Sequence, residues 1–143
     1  MPKIFTSEKQ KIGEIGENIS CKFLMKHDFL ILDRNYTKKW GEIDIIAEKD
    51  NKLYFIEVKS VSFADVKTLV DKHESVSCET YDNYRPEENM HPWKMKRMAR
   101  TIQTYLLSKK IPDNKKWQVD LLVVYLDLNN KKAKIRRFED LIL

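Results

Sequence analysis

Two stretches decide the fold of this chain: Gly-Glu-Ile-Asp-Ile-Ile at residues 41–46 and Tyr-Phe-Ile-Glu-Val-Lys at residues 54–59. Both alternate in hydrophobicity and are rich in β-branched or aromatic residues, which is typical of strands. The segment between them, residues 49–52, reads Lys-Asp-Asn-Lys and favours a turn. The pattern therefore predicts a β-hairpin.

Three charged residues, Asp44, Glu57 and Lys59, interrupt these otherwise apolar strands. Charged side chains are rarely buried without a partner, so two carboxylates on neighbouring strands need a cation. A divalent ion such as Mg²⁺, which binds through one or two carboxylates and keeps several waters, would supply it. The alternative is a solvated Glu57–Lys59 ion pair with Asp44 as an ordinary edge charge.

The order of Asp44 and then Glu57-Val58-Lys59 on the next strand resembles the PD-(D/E)XK core of restriction-endonuclease-like nucleases. A longer set of motifs resembles one bacterial family, YraN, which is similar in fold to archaeal Holliday-junction resolvases. The resemblance covers about residues 12–60 and resumes near Lys94. Its motifs are Gly13-Glu14-Ile15-Gly16-Glu17, Arg34-Asn35-Tyr36, Gly41-Glu42-Ile43-Asp44 and Phe55-Ile56-Glu57-Val58-Lys59.

The resemblance implies a catalytic set of four residues, namely Glu17, Asp44, Glu57 and Lys59. It implies that Mg²⁺ or Mn²⁺ is held by Asp44, Glu57 and the backbone carbonyl of Val58. Asp120 also matches the family pattern, but Gln118 stands where the family tends to have arginine. We expect Asp120 to be a structural hydrogen-bonding residue rather than a metal ligand.

The order of elements predicts an α/β fold. The resemblance implies that its central β-sheet is mixed and flanked by helices, as in restriction endonucleases. A helix capped by Thr6 or Ser7 is expected to reach about Lys26, with a buried stripe of Ile12, Ile15, Ile19 and Phe23. The remaining predicted elements are a strand at 29–32, the hairpin, a helix from Pro92 to about Ser108, and strands at 117–126 and 133–138.

The length of 143 residues fits a single domain, 1–143, with an insert atypical of the family at about residues 60–92. Within this insert we expect a short helix and then a flap that touches a substrate or a second subunit. No apolar run is long enough for a membrane span, and Cys21 and Cys78 are too few for a disulfide framework. We therefore expect a cytoplasmic protein without a membrane partner.

A formal net charge of +5 favours an anionic partner, most commonly nucleic acid. Five basic residues are candidates for phosphate contacts: Arg34, Lys38, Lys39, Lys94 and Arg97. Tyr36 and Trp40 either stack on bases or form the edge of the core.

The leading hypothesis is a nuclease that uses Mg²⁺ or Mn²⁺ to hydrolyse phosphodiester bonds in DNA, with branched, flapped or single-stranded DNA as the expected substrate. A homodimer is expected only by analogy with the resolvases. The first alternative is a nucleic-acid-binding protein without catalysis, whose acidic cluster is vestigial. The second is a protein–protein adaptor that uses residues 73–92.

Overall fold

In the part of the chain that the structure describes, the architecture is an α/β fold with a five-stranded mixed sheet and two helices. The computed structural model describes residues 8–62 and 91–143. The expected cap at Thr6 or Ser7 and most of the predicted insert, including its short helix and flap, lie outside the described residues. In chain order the elements are α1 (Glu8–Lys26), β1 (Leu30–Lys38), β2 (Gly41–Lys49), β3 (Lys52–Ser62), α2 (Pro92–Ser108), β4 (Trp117–Asp127) and β5 (Lys132–Phe138).

The sheet follows the order β1-β2-β3-β4-β5, so spatial neighbours are also neighbours in sequence. The predicted hairpin is confirmed as β2 and β3, which pair antiparallel from Lys49↔Lys52 to Ile45↔Ile56. Strands β3 and β4 are parallel, and α2 lies in the connection between them, as a parallel pair requires. The other two ladders are antiparallel, which makes the sheet mixed.

The two helices cover opposite faces of this sheet because side chains alternate along a strand. One core cluster joins α2 to β2, β3 and β4 through Met98, Ile102, Tyr105, Ile46, Phe55 and Val119. The other joins α1 to the same strands through Leu24, Cys21, Ile45, Ala47, Ile56 and Leu122. The predicted span and apolar stripe of α2 are therefore confirmed.

The buried stripe predicted for α1 is wrong. Its buried residues are Gly16, Ser20, Cys21 and Leu24, while Ile15 is 39% exposed. A Cβ added at Gly16 would lie 1.7 Å from Ser60 Oγ, so the small residues let the helix rest directly on β3. Close backbone approach at Gly16 decides which side of α1 is buried, and hydrophobic periodicity alone does not reveal it.

Strand β1 is longer than predicted because it continues past Leu32 to Lys38. The extension pairs with β2 as far as Lys38↔Gly41, which places the Arg34-Asn35-Tyr36 motif inside the sheet. Strand β1 lies at the edge of the sheet and is only partly buried, so apolar and polar residues do not simply alternate along it. The prediction relied on that alternation.

Both helices end in the same hydrogen-bond pattern. Asp28 has φ 68° after α1, and the Phe29 N–H donates to the Leu24 carbonyl at 2.9 Å. Lys110 has φ 52° after α2, and the Ile111 N–H donates to the Leu106 carbonyl at 2.9 Å. These are Schellman ends without the usual glycine. Within the part of the chain that the structure describes, no helix is long and apolar enough to cross a membrane.

Candidate active site

The site lies where β2 and β3 separate. Their ladder ends at Ile45↔Ile56, whereas β3 continues beside β4 as far as Ser62↔Leu126. Just beyond the last β2–β3 pair, Asp44 Oδ2 accepts a hydrogen bond of 2.8 Å from the Val58 N–H. The Asp44 side chain thus accepts from an N–H that no longer pairs with the backbone of β2. This bond fixes the Asp44 carboxyl beside Val58.

Asp44 and Glu57 meet at this fork as two adjoining carboxyls. Burial raises the pKa of Asp44 well above its usual value of 3.8, and the neighbouring charge of Glu57 raises it further. The Val58 N–H opposes the shift, while Glu17 adds to it from α1. Like charges held this close disfavour simultaneous ionisation, and a nearby cation favours it.

Glu17 and Glu42 are brought to the same place by Asn35, which has a left-handed backbone conformation with φ 51°. With its nitrogen turned toward the carboxylates, the Asn35 amide donates to Glu42 Oε1 at 3.0 Å and to Glu17 Oε1 at 3.1 Å. We call Glu17, Glu42, Asp44 and Glu57 the acidic cluster. The hairpin pattern pointed to Asp44 and Glu57, and the family motif to Glu17, but neither revealed the roles of Glu42 and Asn35.

The cation nearest the acidic cluster comes from α2. Lys94 Nζ lies 2.5 Å from Glu57 Oε1, and the Glu57 side chain is only 12% exposed. The sequence predicts that Lys94 contacts phosphate, but it does not predict the ion pair with Glu57. Lys59 is exposed and lines the same cavity as Asp44 and Glu57.

Two cavities share part of the acidic cluster as lining, and we call the pair the groove. The first, of about 580 Å³, lies toward α1 and is lined by Glu17, Lys59 and Asn35. The second, of about 550 Å³, lies toward α2 and the β1–β2 turn. The residues common to both are Glu42, Asp44, Glu57 and Lys94. Three carboxylates of the acidic cluster therefore line both cavities, and we call these three the floor of the groove.

Four of the five predicted phosphate-binding residues line the second cavity: Lys38, Lys39, Lys94 and Arg97. We call these four residues the wall of the groove. Arg34 lines neither cavity. Its guanidinium instead donates to Asn18 Oδ1 on α1 at 2.9 Å. Thus the predicted basic residues divide into a cluster of four beside the acidic floor and one that lies apart.

The aromatic residues near the groove differ in exposure. Tyr36 packs edge-on against Tyr105 and belongs to the core edge, which is the second of its two predicted roles. Trp40 is partly buried, with the Arg100 guanidinium 4.3 Å from its ring centroid. Trp93 is 57% exposed and also lines the second cavity, although the sequence did not single it out.

Gly41 holds the start of β2 against α2. A Cβ at this position would lie 2.5 Å from Thr101 Oγ1 and 3.1 Å from the Arg97 carbonyl oxygen. Only glycine allows this approach without a shift of the helix backbone. The contact brings Glu42 and Asp44 close to Glu57 and Lys94, which lie on the other side of the fork.

Asp120 lies outside this groove and is held by structural hydrogen bonds, as expected. Gln118 Nε2 donates to its Oδ1 at 2.7 Å, Arg137 Nε donates to its Oδ2 at 3.0 Å, and the Asp140 N–H also donates to Oδ1. Arg137 thus supplies the positive charge beside Asp120, while Gln118 adds a neutral donor.

The donor set of the acidic cluster fits a hard divalent cation. Among the residues the structure describes, no group of three or more His, Cys, Asp and Glu side chains is arranged to hold a metal ion. Mg²⁺ does not require such a group, because it binds through one or two carboxylates and retains waters. Asp44 and Glu57 supply that pair, and burial followed by the neighbouring Glu57 carboxyl raises the pKa of Asp44.

Comparison with known proteins places the chain in a family. Residues 16–124 match the model of the uncharacterised protein family UPF0102, which is the YraN family. The chain belongs to UPF0102. It is 39% identical over 115 residues to a UPF0102 protein of Campylobacter lari, covering 80% of this chain and 84% of that protein. It is 30% identical over 134 residues to a UPF0102 protein of Flavobacterium psychrophilum, covering 94% and 95% of the two chains.

The UPF0102 match includes every member of the acidic cluster as well as Lys59, Lys94 and Asp120. The family predicted from four short motifs is therefore confirmed. The five-stranded mixed sheet is compatible with the restriction-endonuclease-like fold that the same motifs imply, and that wider relationship stays a prediction.

Proposed function

We propose that this UPF0102 protein is a metal-dependent nuclease that hydrolyses phosphodiester bonds in DNA. The observation that carries the proposal is the groove itself, in which the Asp44–Glu57 pair lies on the floor and Lys38, Lys39 and Arg97 line the adjoining wall. The wall suits the phosphate backbone of a nucleic acid, and the floor suits the cation that phosphoryl chemistry requires.

Each residue has a distinct part in the proposed reaction. Mg²⁺ or Mn²⁺ bound by Asp44, Glu57 and the Val58 carbonyl would activate the attacking water and offset charge on the phosphoryl oxygens. Glu17, linked to Glu42 through Asn35, would bind the metal through water or directly. Lys59 would orient or deprotonate the attacking water and stabilise the negative charge that develops as the phosphorus–oxygen bond forms.

Lys94 has a second part in this proposal because it lines both cavities and is only partly buried. Its side chain can leave Glu57 and donate to a phosphate oxygen without a change in the helix backbone. The ion pair seen here is then the state of the free protein. Neutralisation of the carboxylates by an external cation would release the Lys94 ammonium toward DNA.

The test is cleavage of labelled branched, single-stranded and duplex DNA in Mn²⁺ or in EDTA. The Asp44→Ala and Lys59→Ala variants are compared with Asp127→Ala and Lys109→Ala, which remove an exposed or half-exposed charge of the same sign outside the groove. Cleavage that needs Mn²⁺ and disappears only in the first two variants supports the nuclease. An unchanged rate in Asp44→Ala contradicts the assignment.

A nucleic-acid-binding protein without catalysis is the second candidate. The observation in its favour is that Lys94 already neutralises Glu57 without a metal. Titration calorimetry with Mn²⁺ separates the two candidates, because only the nuclease requires a binding site that is lost in Asp44→Ala. DNA binding without Mn²⁺ binding or cleavage would favour the second candidate.

A further inference from the structure

Trp93 is the most exposed of the three tryptophans of this chain. It is 57% exposed, against 37% for Trp117, while Trp40 is partly buried. Trp93 lies in the first turn of α2, directly before Lys94. Indole rings carry a large apolar area, so an indole this exposed can offer that area to a ligand.

The surroundings of Trp93 are basic on one side and acidic on the other. The Arg97 guanidinium lies 4.8 Å from the Trp93 ring centroid, and Lys38 and Lys39 line the same cavity. Asp44 and Glu57 also line that cavity. A cavity of about 550 Å³ with this lining is in the usual size range for a small-ligand site.

Nucleobases stack well on aromatic rings, and adjacent cations hold the phosphates that flank them. A base inside a duplex already has both faces covered by its neighbours, so it offers no free face to a protein ring. An unpaired base does. The exposed indole therefore distinguishes unpaired from paired DNA, whereas the lysines and Arg97 bind either form through phosphate.

We infer that Trp93 is a stacking platform for an unpaired nucleobase whose flanking phosphates are held by Arg97, Lys38 and Lys39. The preferred ligand is accordingly single-stranded DNA or the single-stranded part of a branched or flapped molecule. Arg97 supports the ring and contacts the adjoining phosphate, and Lys38 and Lys39 follow the backbone away from the floor. The inference rests on the proposed function in taking DNA as the occupant of the groove.

The experiment measures binding alone. Fluorescence anisotropy in EDTA, where metal-dependent cleavage is absent, compares a labelled single strand, the same strand in a duplex, and a matched strand with abasic positions. The variants are Trp93→Ala, Trp93→Phe and, as a control on the same helix, Leu107→Ala. Leu107 is 78% exposed and lies 14 positions further along α2.

We expect Trp93→Ala to weaken single-strand binding about 5- to 150-fold, which is the range for loss of one base–aromatic stack. Trp93→Phe should keep most of the affinity, and Leu107→Ala should bind as the unaltered protein does. On duplex DNA and on the abasic strand, the Trp93→Ala variant should differ from the unaltered protein by less than about twofold, because no base is stacked there.

Unchanged single-strand binding in Trp93→Ala overturns the inference, and so does an equal loss on the abasic strand. A protein that binds but does not cleave DNA, and that needs Trp93 for the single strand, would refute the nuclease while supporting the stacking site. Cleavage of duplex DNA at the same rate in Trp93→Ala, with equal single-strand affinity, would refute the stacking site alone.

Discussion

Lys94 Nζ and Glu57 Oε1 lie 2.5 Å apart, so a side chain of α2 supplies a cation to the carboxylates of the β2–β3 fork. The same lysine lines both cavities of the groove. The ion pair links the helix that follows the predicted insert to the proposed metal site. It also means that a divalent cation must compete with an ammonium that the chain itself provides.

Replacing Lys94 with methionine tests this competition. In EDTA we expect Lys94→Met to lower the free energy of unfolding by about 1 kcal/mol or less, because Lys94 is 41% exposed and water screens the pair. Mn²⁺ should raise the melting temperature of Lys94→Met more than that of the unaltered protein, since the internal cation no longer competes. Thermal unfolding with and without Mn²⁺ measures both effects.

The matched control is Lys96→Met, which removes an exposed lysine two positions further along the same helix. It should leave the Mn²⁺-dependent shift in melting temperature unchanged. An equal shift in Lys94→Met and in the unaltered protein would show that Lys94 and the metal do not share Glu57.

The Asp44→Asn variant should be more stable than the unaltered protein at neutral pH. Burial and Glu57 raise the pKa of Asp44 above 3.8, so folding favours its protonated form. The folded chain therefore gains stability from Asp44 below pH 3.8 and loses that gain as the pH rises through the raised pKa. An amide avoids this loss and still accepts the bond from the Val58 N–H.

Chemical denaturation of Asp44→Asn across a range of pH provides the measurement, in buffers that contain EDTA. The difference from the unaltered protein should be greatest near pH 7 and should shrink as the pH falls toward 3.8. Asp127→Asn is the control with the opposite sign, because the hydrogen bond from Asn130 lowers the pKa of Asp127. A gain in stability in Asp127→Asn but not in Asp44→Asn would contradict this account.

Asn35 offers a third test because its amide bridges two carboxylates of the acidic cluster. Asn35→Asp has nearly the same shape and tolerates φ 51°, but replaces the donor with another negative charge. We expect a loss of about 1 kcal/mol at pH 8, because the site is only partly buried and loses the net contribution of its hydrogen bonds. The loss should diminish toward pH 5, because the introduced carboxyl can then take up a proton.

Urea denaturation at pH 8 and at pH 5 measures how much Asn35→Asp lowers the free energy of unfolding. Asn130→Asp is the control, since Asn130 also donates to a carboxylate, that of Asp127, but on an exposed turn. Solvent should screen the added charge there, so its effect should stay within about 0.5 kcal/mol. Equal losses of stability in the two variants would show that the hydrogen bonds of Asn35 to Glu17 and Glu42 add nothing beyond those of an exposed turn.

The sequence predicted most of this fold because its strongest signals are local. The apolar stripe of Met98, Ile102 and Tyr105 and the proline at the start of α2 predict that helix within its observed bounds. The hairpin is similarly marked by alternating strands and a polar turn. Asp44 and Glu57 stood out at the sequence level because charge is unusual within such strands.

The remaining features depend on contacts between distant segments, which a single sequence does not display. Close packing of Gly16 on Ser60 overrides the isoleucine stripe of α1. The amide of Asn35 reaches Glu17 and Glu42 only because β1 extends along β2 and α1 crosses above. The exposure of Trp93 could not be predicted from a helix pattern in which tryptophan is ordinarily a core residue.

The two glycines of α1 should respond to alanine with opposite signs. A Cβ at Gly13 meets nothing within 4 Å, so Gly13→Ala should gain about 1 kcal/mol from helix propensity. At Gly16 the added Cβ would lie 1.7 Å from Ser60 Oγ and 2.9 Å from Ser60 Cβ. The hydroxyl can rotate away, but the Cβ can move only with the backbone of β3, so we expect a loss of about 1–3 kcal/mol.

Urea denaturation of the two variants measures this difference, with Gly16→Ala/Ser60→Gly as the control that restores space at the contact. If close packing is the cause, Gly16→Ala should cost much less in the Ser60→Gly background than in the unaltered protein. Because Glu17 follows Gly16 directly, a displaced α1 would also move that carboxylate away from Asn35. Calorimetry should then show weaker Mn²⁺ binding in Gly16→Ala and recovered binding in the double variant. If Gly16→Ala lowers the free energy of unfolding equally in both backgrounds, the contact with Ser60 is not the cause.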